Sequence, residues 1–264
     1  MDIKREIEKC ELFIKNVFQY KGFNKAIIGI SGGLDSAVIA ALCCKALGSE
    51  NVYGYLLPYH LQIDASDAGD FARQLKIHWE VINMGDIVDA TVKYLHTTDI
   101  TRIGNIKART RMIILYDQSV EHNGLVVGTS NLTELMLGYF TLHGDGACAL
   151  EPIGHLYKTE VRQVAAELGI PQQIIDKAPS AGLWEGQTDE EQIGASYETI
   201  DYVLKRYYRL ITDMVNCRSF EPYETYELID NIADNTVDIK IVDKIISMVK
   251  KNEFKSKPPT MMRR

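Results

Sequence analysis

The sequence predicts a doubly wound α/β fold, in which a mainly parallel five-stranded sheet carries helices on both faces and a helical C-terminal extension follows. Three observations carry this expectation. Short β-rich apolar runs alternate with helical patterns through the first two-thirds of the chain. Those runs are apolar on both sides, as strands are when helices cover both faces of a parallel sheet. A glycine-rich turn, GISGG, then joins the first run directly to a helix start.

In chain order, MDIKREIEKCELF opens an amphipathic helix with Ile3, Ile7, Cys10, Ile14 and Val17 on one stripe, which predicts packing against the body. The strand candidates are 25–30, 52–58, 77–83, 125–130 and 147–153. Between the first two lies a helix from Ser36 to Leu47, closed by Gly48. Residues 64–75, roughly 102–122 and 158–171 also read as helices, the last stopping at Gly169 before Pro171. DKAPSAGLWEGQTDEEQ (176–192) is a long, polar, glycine-bearing connection, and helices resume from about Asp189. Loops of that length inside compact domains are usually either functional lids or disordered segments. The expected organisation is one unit over 1–264: an α/β core at about 25–175, a mobile loop at 176–192 and a helical extension at 193–264.

Bulk properties narrow the function classes. At 264 residues, 46% hydrophobic and 25% charged, the chain buries a proper core. A net charge of −7 disfavours nucleic acid as a partner but leaves room for small anions at a local cationic cluster. No apolar stretch approaches the roughly 18–20 residues that span a bilayer. The cysteines at 10, 43, 44, 148 and 217 form no CxxC and no metal-ligand spacing, which suits a reducing cytoplasm. Cys43 and Cys44 read as inert hydrophobes on a buried helix, and Asp64, Asp67 and Asp70 as an acidic first turn in preference to a metal site.

Gly29-Ile30-Ser31-Gly32-Gly33-Leu34-Asp35-Ser36 carries the strongest signal. Backbone N–H groups of a strand–turn–helix junction, together with the positive end of the helix, form an anion site. Glycines let a phosphate approach closely, and Ser31 and Ser36 add hydroxyls. The loop lacks the lysine of a Walker A and the spacing of G-x-G-x-x-G. Asp35 is the informative residue. A carboxylate beside phosphate is repulsive unless a divalent cation bridges them, so the stretch predicts a Mg²⁺–polyphosphate. The bland alternative is a side-chain cap on an ordinary turn.

SGGLDS resembles the pyrophosphate loop of ATP pyrophosphatases. Four further segments, GNIKARTRM (104–112), GTSNLTELMLGYFTLHGDGA (128–147), PIGHLYKTEVR (152–162) and PSAGLWEGQTDEEQIGASYETID (179–201), resemble the NAD synthetase branch in order and spacing. The resemblance implies an adenine-nucleotide α-hydrolase-like fold and a C–N ligase. Such a ligase takes ATP as co-substrate and joins ammonia to the nicotinate carboxyl of deamido-NAD through an adenylate, yielding NAD, AMP and pyrophosphate. It implies Mg²⁺ on Asp35 and Glu134, ATP contacts along 29–36 and at Thr129, Lys158 and Ser180, and catalytic roles for Asp35 and Lys158. Arg109, Phe140 and Lys255 fall on its deamido-NAD positions, and a homodimer is expected.

Read from the residues, Glu134 is equally a helix-dipole partner, and Asp145 is either a turn residue or a third metal ligand. Tyr139 and Phe140 suit stacking or core packing, and Arg162 a solvated face. Leu142, Ala149 and Phe254 depart from the family's Lys, Asp and His. GACAL around Cys148 lacks the second glycine of a nucleophile elbow, and position 2 is Asp, so free ammonia is the expected nitrogen donor. The rival readings are a tRNA-modifying pyrophosphatase and a non-catalytic nucleotide-binding module.

Overall fold

Four of the predicted strands form in the computed structural model, which describes residues 1–60, 65–184, 186–216, 225–234 and 236–257. They are β1 (Lys25–Gly29), β2 (Val52–Leu56), β3 (His78–Val81) and β4 (Gly124–Val126), all parallel in the order β3-β2-β1-β4. Ile27 pairs with Tyr53 on one side and Val126 on the other. Side chains of β1 alternate between faces: Ala26 and Ile28 enter one core, and Ile27 enters the other.

The expected fifth strand, 147–153, is reduced to one parallel bridge between Val127 and Leu150. Ala149 N–H donates to the Val126 carbonyl and Gly128 N–H to the Leu150 carbonyl, each at 2.9 Å. Pro152, with no N–H, stops the ladder there. β3 departs from the expectation of two covered faces, because it is the sheet edge and all four of its residues are exposed.

α1 (Ile3–Lys21) starts at Asp2, which accepts from Arg5 N–H, and ends at Gly22 with φ +75°. It buries Ile7, Cys10, Ile14 and Phe18. α2 (Leu34–Leu47) is apolar nearly all round and lies between the sheet, α1 and α7 (Lys158–Glu167). α3 (Ala65–Leu75) packs on β2, β3 and α2. The opposite face is covered by α4 (Gly85–Tyr94) and α5 (Ile100–Glu121). The sequence pattern misses α4, whose Ile, Val and Thr content does not favour a helix. Asp64, the side chain of Asp67 and Cys217 lie outside the described residues.

α6 (Leu132–Leu137), α8 (Gln172–Ile175), α9 (Asp189–Ile193), α10 (Tyr197–Asn216), α11 (Thr225–Ile232) and α12 (Ile239–Asn252) complete the chain, with a 3-10 turn at Glu253–Ser256. Tyr197, Ile200, Leu204, Ile245 and Ile246 form a second core that also takes in Leu137 of α6 and Tyr157. This core presses α10 against α6 and α7 at the carboxyl ends of the strands, where open α/β sheets bind ligands. Among the described residues no helix is long and apolar enough to cross a membrane.

Candidate active site

After β1 the chain turns through Gly32, whose φ of +75° demands glycine, and enters α2 at Leu34. Ser36 Oγ donates to the Gly33 carbonyl at 3.0 Å and lies 3.1 Å from Ser31 Oγ, which accepts from Gly33 N–H. The two hydroxyls therefore brace the turn instead of capping α2. No side chain caps this helix, and among the described residues no protein group accepts from the N–H of Leu34 or Asp35. Those unspent donors sit at the positive end of a 14-residue helix.

Three of the predicted residues meet here from three separate elements. Asp35 comes from the first turn of α2, Glu134 from α6 and Lys158 from the start of α7. Lys158 Nζ donates to Asp35 Oδ2 and, at 3.2 Å, to Glu134 Oε1. The lysine side chain is 3% exposed and each carboxylate 16%. Asn131 links the elements: its Nδ2 donates to Asp35 Oδ1 at 3.1 Å, while its Oδ1 caps Glu134 N–H. Glu134 Oε2 accepts in return from Asn131 N–H, a capping box that leaves Oε1 for the ammonium. Thr133 accepts from Lys158 N–H and donates to Asp201, which also takes Thr159 N–H, so α6, α7 and α10 are cross-braced at the site.

Burial pushes the Glu134 carboxyl well above its ordinary range, with Lys158 opposing and Asp35 reinforcing the shift. Burial acts to lower Lys158, but the two carboxylates outweigh it and hold the ammonium charged. The donor set fits a hard divalent cation, since oxygens of two carboxylates already converge on one cationic centre. Among the described residues no cluster of three or more His, Cys, Asp or Glu supplies a complete cage. Such a cation would be completed by ligand oxygens.

A cleft of about 470 Å³ opens beside this centre, walled by Ile30, Leu56, Met112, Leu115 and Val126. Gly29, Ile30, Ser31, Gly33, Leu34, Asp35, Ser36, Thr129, Lys158, Ser180 and Phe140 all border it; Gly32 does not. Asp145 borders it too, but accepts from Thr141 N–H at 3.0 Å and makes no bond to the Asp35–Glu134 pair. Arg109 lies outside the cleft, on the exposed side of α5, with its Nε on the Leu142 carbonyl at 3.2 Å. Arg111, two residues on, borders the cleft and is held by the Leu57 carbonyl.

Lys255 Nζ donates to the carbonyls of Gly138 and Phe140 and stands 5.5 Å from the Phe140 ring. Lys255 and Phe140 also line a second cavity of about 410 Å³, with Leu135, Cys148 and Glu151. Glu151 accepts from Ser130 N–H and from the Cys148 thiol, and burial pushes its carboxyl up to about 7. Phe254 is 60% exposed and borders neither cavity. Arg162 pairs with Glu198 at the rim of the cleft.

The family profile described as NAD synthase matches residues 6–259. The chain belongs to the NAD synthase family. An NH(3)-dependent NAD(+) synthetase of Pyrococcus horikoshii is 41% identical over 261 residues, covering 98% of this chain and 94% of that protein. The structure of an NH3-dependent NAD synthetase from Campylobacter jejuni superimposes with a TM-score of 0.80 at 32% identity, all of both chains covered. An NMN synthetase from Francisella tularensis gives 0.82 at 29%, again over all of both chains.

Within this NAD synthase fold, several site residues escaped sequence reasoning. Asn131 was legible, because N-x-x-E ahead of an apolar run is a capping signature. Arg111, Asp189 and Tyr197 left no signal apart from the general charge and aromatic content of their helices.

Proposed function

We propose that the protein joins ammonia to the nicotinate carboxyl of deamido-NAD, with ATP activating the carboxyl as an adenylate and AMP and pyrophosphate leaving. The observation that carries this reading is the meeting of Asp35, Glu134 and Lys158 beside the open N-terminus of α2. The NH(3)-dependent relatives support ammonia as the nitrogen donor.

The unspent N–H groups of Leu34 and Asp35 take the departing pyrophosphate oxygens, and Lys158 lies where negative charge accumulates as the bond to the α-phosphorus breaks. Asp35 and Glu134 would hold Mg²⁺, which when bound offsets the polyphosphate charge. Thr129 and Ser180 supply hydroxyls along the cleft, and the apolar wall accepts the adenine. Phe140 and Lys255 separate the cleft from the second cavity, which continues the groove for the dinucleotide. No side chain need act as nucleophile; placing the carboxyl against the α-phosphorus does the work. Residues 177–184 border the cleft and would keep water from the adenylate.

We also read the chain as one synthetase unit that pairs with a second copy. Arg109, Ile113, Tyr116 and Val120 share one exposed stripe of α5, with Ile113 at 65% and Val120 at 82% exposure. A partner on that stripe would cover the apolar residues and bring Arg109 to a substrate bound near the boundary. The free thiols of Cys10, Cys43, Cys44 and Cys148 support a reducing, cytoplasmic location.

The test is a chromatographic product assay with ATP, Mg²⁺, ammonium and deamido-NAD, with nicotinate mononucleotide as the competing acceptor. NAD and AMP in equal amounts, absent without ammonium, are expected. Faster amidation of the mononucleotide would instead place the chain with the Francisella enzyme.

A further inference from the structure

Asp189 and Tyr197 are buried beside the charged centre, and nothing in the proposed chemistry uses them. Asp189, at the start of α9, is 4% exposed and has no cation within bonding distance among the described residues. Its charge is held by neutral donors. Oδ1 accepts from Ala181 N–H at 3.0 Å and lies 3.2 Å from the Tyr139 hydroxyl, whose single proton is also offered to Gln192 Oε1 at 2.6 Å, and Oδ2 accepts from the Tyr197 hydroxyl at 3.0 Å. Its own N–H donates to the Pro179 carbonyl at 3.0 Å. A buried carboxylate is costly unless its acceptors are filled, so Asp189 favours the arrangement in which Pro179–Ala181 lies against it.

Tyr197 continues the connection. Its hydroxyl is spent on Asp189, and the face of its ring lies 5.2 Å from Lys158 Nζ. The ring is fully buried, so it also forms a wall that keeps the ammonium between Asp35 and Glu134. An unbroken path therefore runs from the segment bordering the cleft, through one carboxylate and one ring, to Lys158.

We propose that Asp189 and Tyr197 are positioning residues that couple the seating of residues 179–181 over the cleft to the placement of Lys158. The inference rests on the reading that the cleft takes ATP. Closure of the segment and correct aim of the lysine become one event, so ATP bound under a loose segment meets a poorly placed ammonium.

The chain supplies its own reporter. It has two tryptophans, Trp79 on the exposed sheet edge and Trp184 bordering the cleft within the covering segment. In a Trp79→Phe parent, Trp184 emission is followed during ATP titration, and steady-state kinetics are measured alongside. Tyr197→Phe keeps the ring and removes only the hydroxyl. The expected result is a reduced ATP-dependent emission change and a KM for ATP raised about 10-fold, the worth of a hydrogen bond to a charged group. Tyr197→Leu, which also removes the wall beside Lys158, is expected to lower kcat by a further 10-fold or so. Asp189→Asn still accepts from Ala181 and can reverse the bond to Tyr197, so it should retain most of the response that Asp189→Ala loses. Parent-like emission and KM in Tyr197→Phe would overturn the coupling, as would equal behaviour of Asp189→Asn and Asp189→Ala. NAD formation by the parent is read separately, so an inactive parent counts against the proposed reaction and not against the coupling.

Discussion

Replacing Lys158 by Met removes the cation that Asp35 and Glu134 share while nearly preserving side-chain volume. Two carboxylates, each 16% exposed, then face one another with nothing between them. Stripping one partner from a buried ion pair costs about 3–5 kcal/mol. Glu134 already favours its proton and takes one up on losing the lysine, which trims the expected cost to about 2–4 kcal/mol. For a chain of this size, 1 kcal/mol moves the melting temperature by roughly 2–4 °C, so Lys158→Met should melt about 5–15 °C below the parent without Mg²⁺. A cation that takes the lysine's place restores stability by mass action, about 2.7 kcal/mol at 100 times its dissociation constant. Scanning calorimetry at pH 7.5 with and without MgCl2 reads both effects. The variant's melting temperature should rise with Mg²⁺ far more than the parent's, while its turnover stays down by about 100-fold or more for want of the phosphate contact. An unchanged melting temperature without Mg²⁺, or equal Mg²⁺ responses in both proteins, would refute the charge balance argued for this centre.

Three further outcomes follow from the same structure. Because burial raises Glu134 and a metal needs the ionised carboxylate, Mg²⁺ binding near neutral pH should release a proton and tighten as pH rises. Titration calorimetry in buffers of different ionisation enthalpy measures the release, and buffer-independent heats would contradict it. Glu151 lies at about 7 against an ordinary 4.5, so the folded protein holds a proton there that the unfolded chain has already lost. Its contribution to stability therefore falls as pH rises through that window, by at most about 3 kcal/mol and by about 1–2 after allowing for its partial exposure. Glu151→Gln should accordingly gain melting temperature relative to the parent between pH 5 and pH 8, and a constant difference would count against this. If two copies pair through the exposed stripe of α5 as proposed, the parent should sediment as a dimer and Ile113→Glu as a monomer in analytical ultracentrifugation, with the melting temperature lowered by no more than a few degrees; a monomeric parent or a dimeric variant would contradict the proposed interface.

The parts of the fold legible in the sequence were those decided locally. The turn at 31–36 announces itself, because few uses explain two glycines, two serines and a carboxylate at one strand–helix junction. Glu134 and Lys158 followed from resemblance, and their meeting with Asp35 depends on packing of α6 against α7 that no local pattern encodes. The missing fifth strand shows the limit from the other side: ACALEPI has strand composition, yet Pro152 ends its pairing after a single bridge. Arg109 and Arg111 illustrate a rotational ambiguity. Two residues along a helix amount to roughly 200° about its axis, so the choice of which arginine borders the cleft rests on how α5 seats on the sheet. Asp189 and Tyr197 were invisible for a related reason, since their meaning lies in contacts made across the 179–181 segment and α10.

The central claim is that ATP activates the carboxyl of deamido-NAD in the cleft beside Asp35, Glu134 and Lys158. It is tested most directly with deamido-NAD carrying ¹⁸O in the nicotinate carboxyl, turned over with ATP and ammonium and read by mass spectrometry of the nucleotide products. The account predicts one ¹⁸O in AMP and none in pyrophosphate, because the carboxyl oxygen that attacks the α-phosphorus departs with the adenylate. Unlabelled AMP, or label in pyrophosphate, would contradict it.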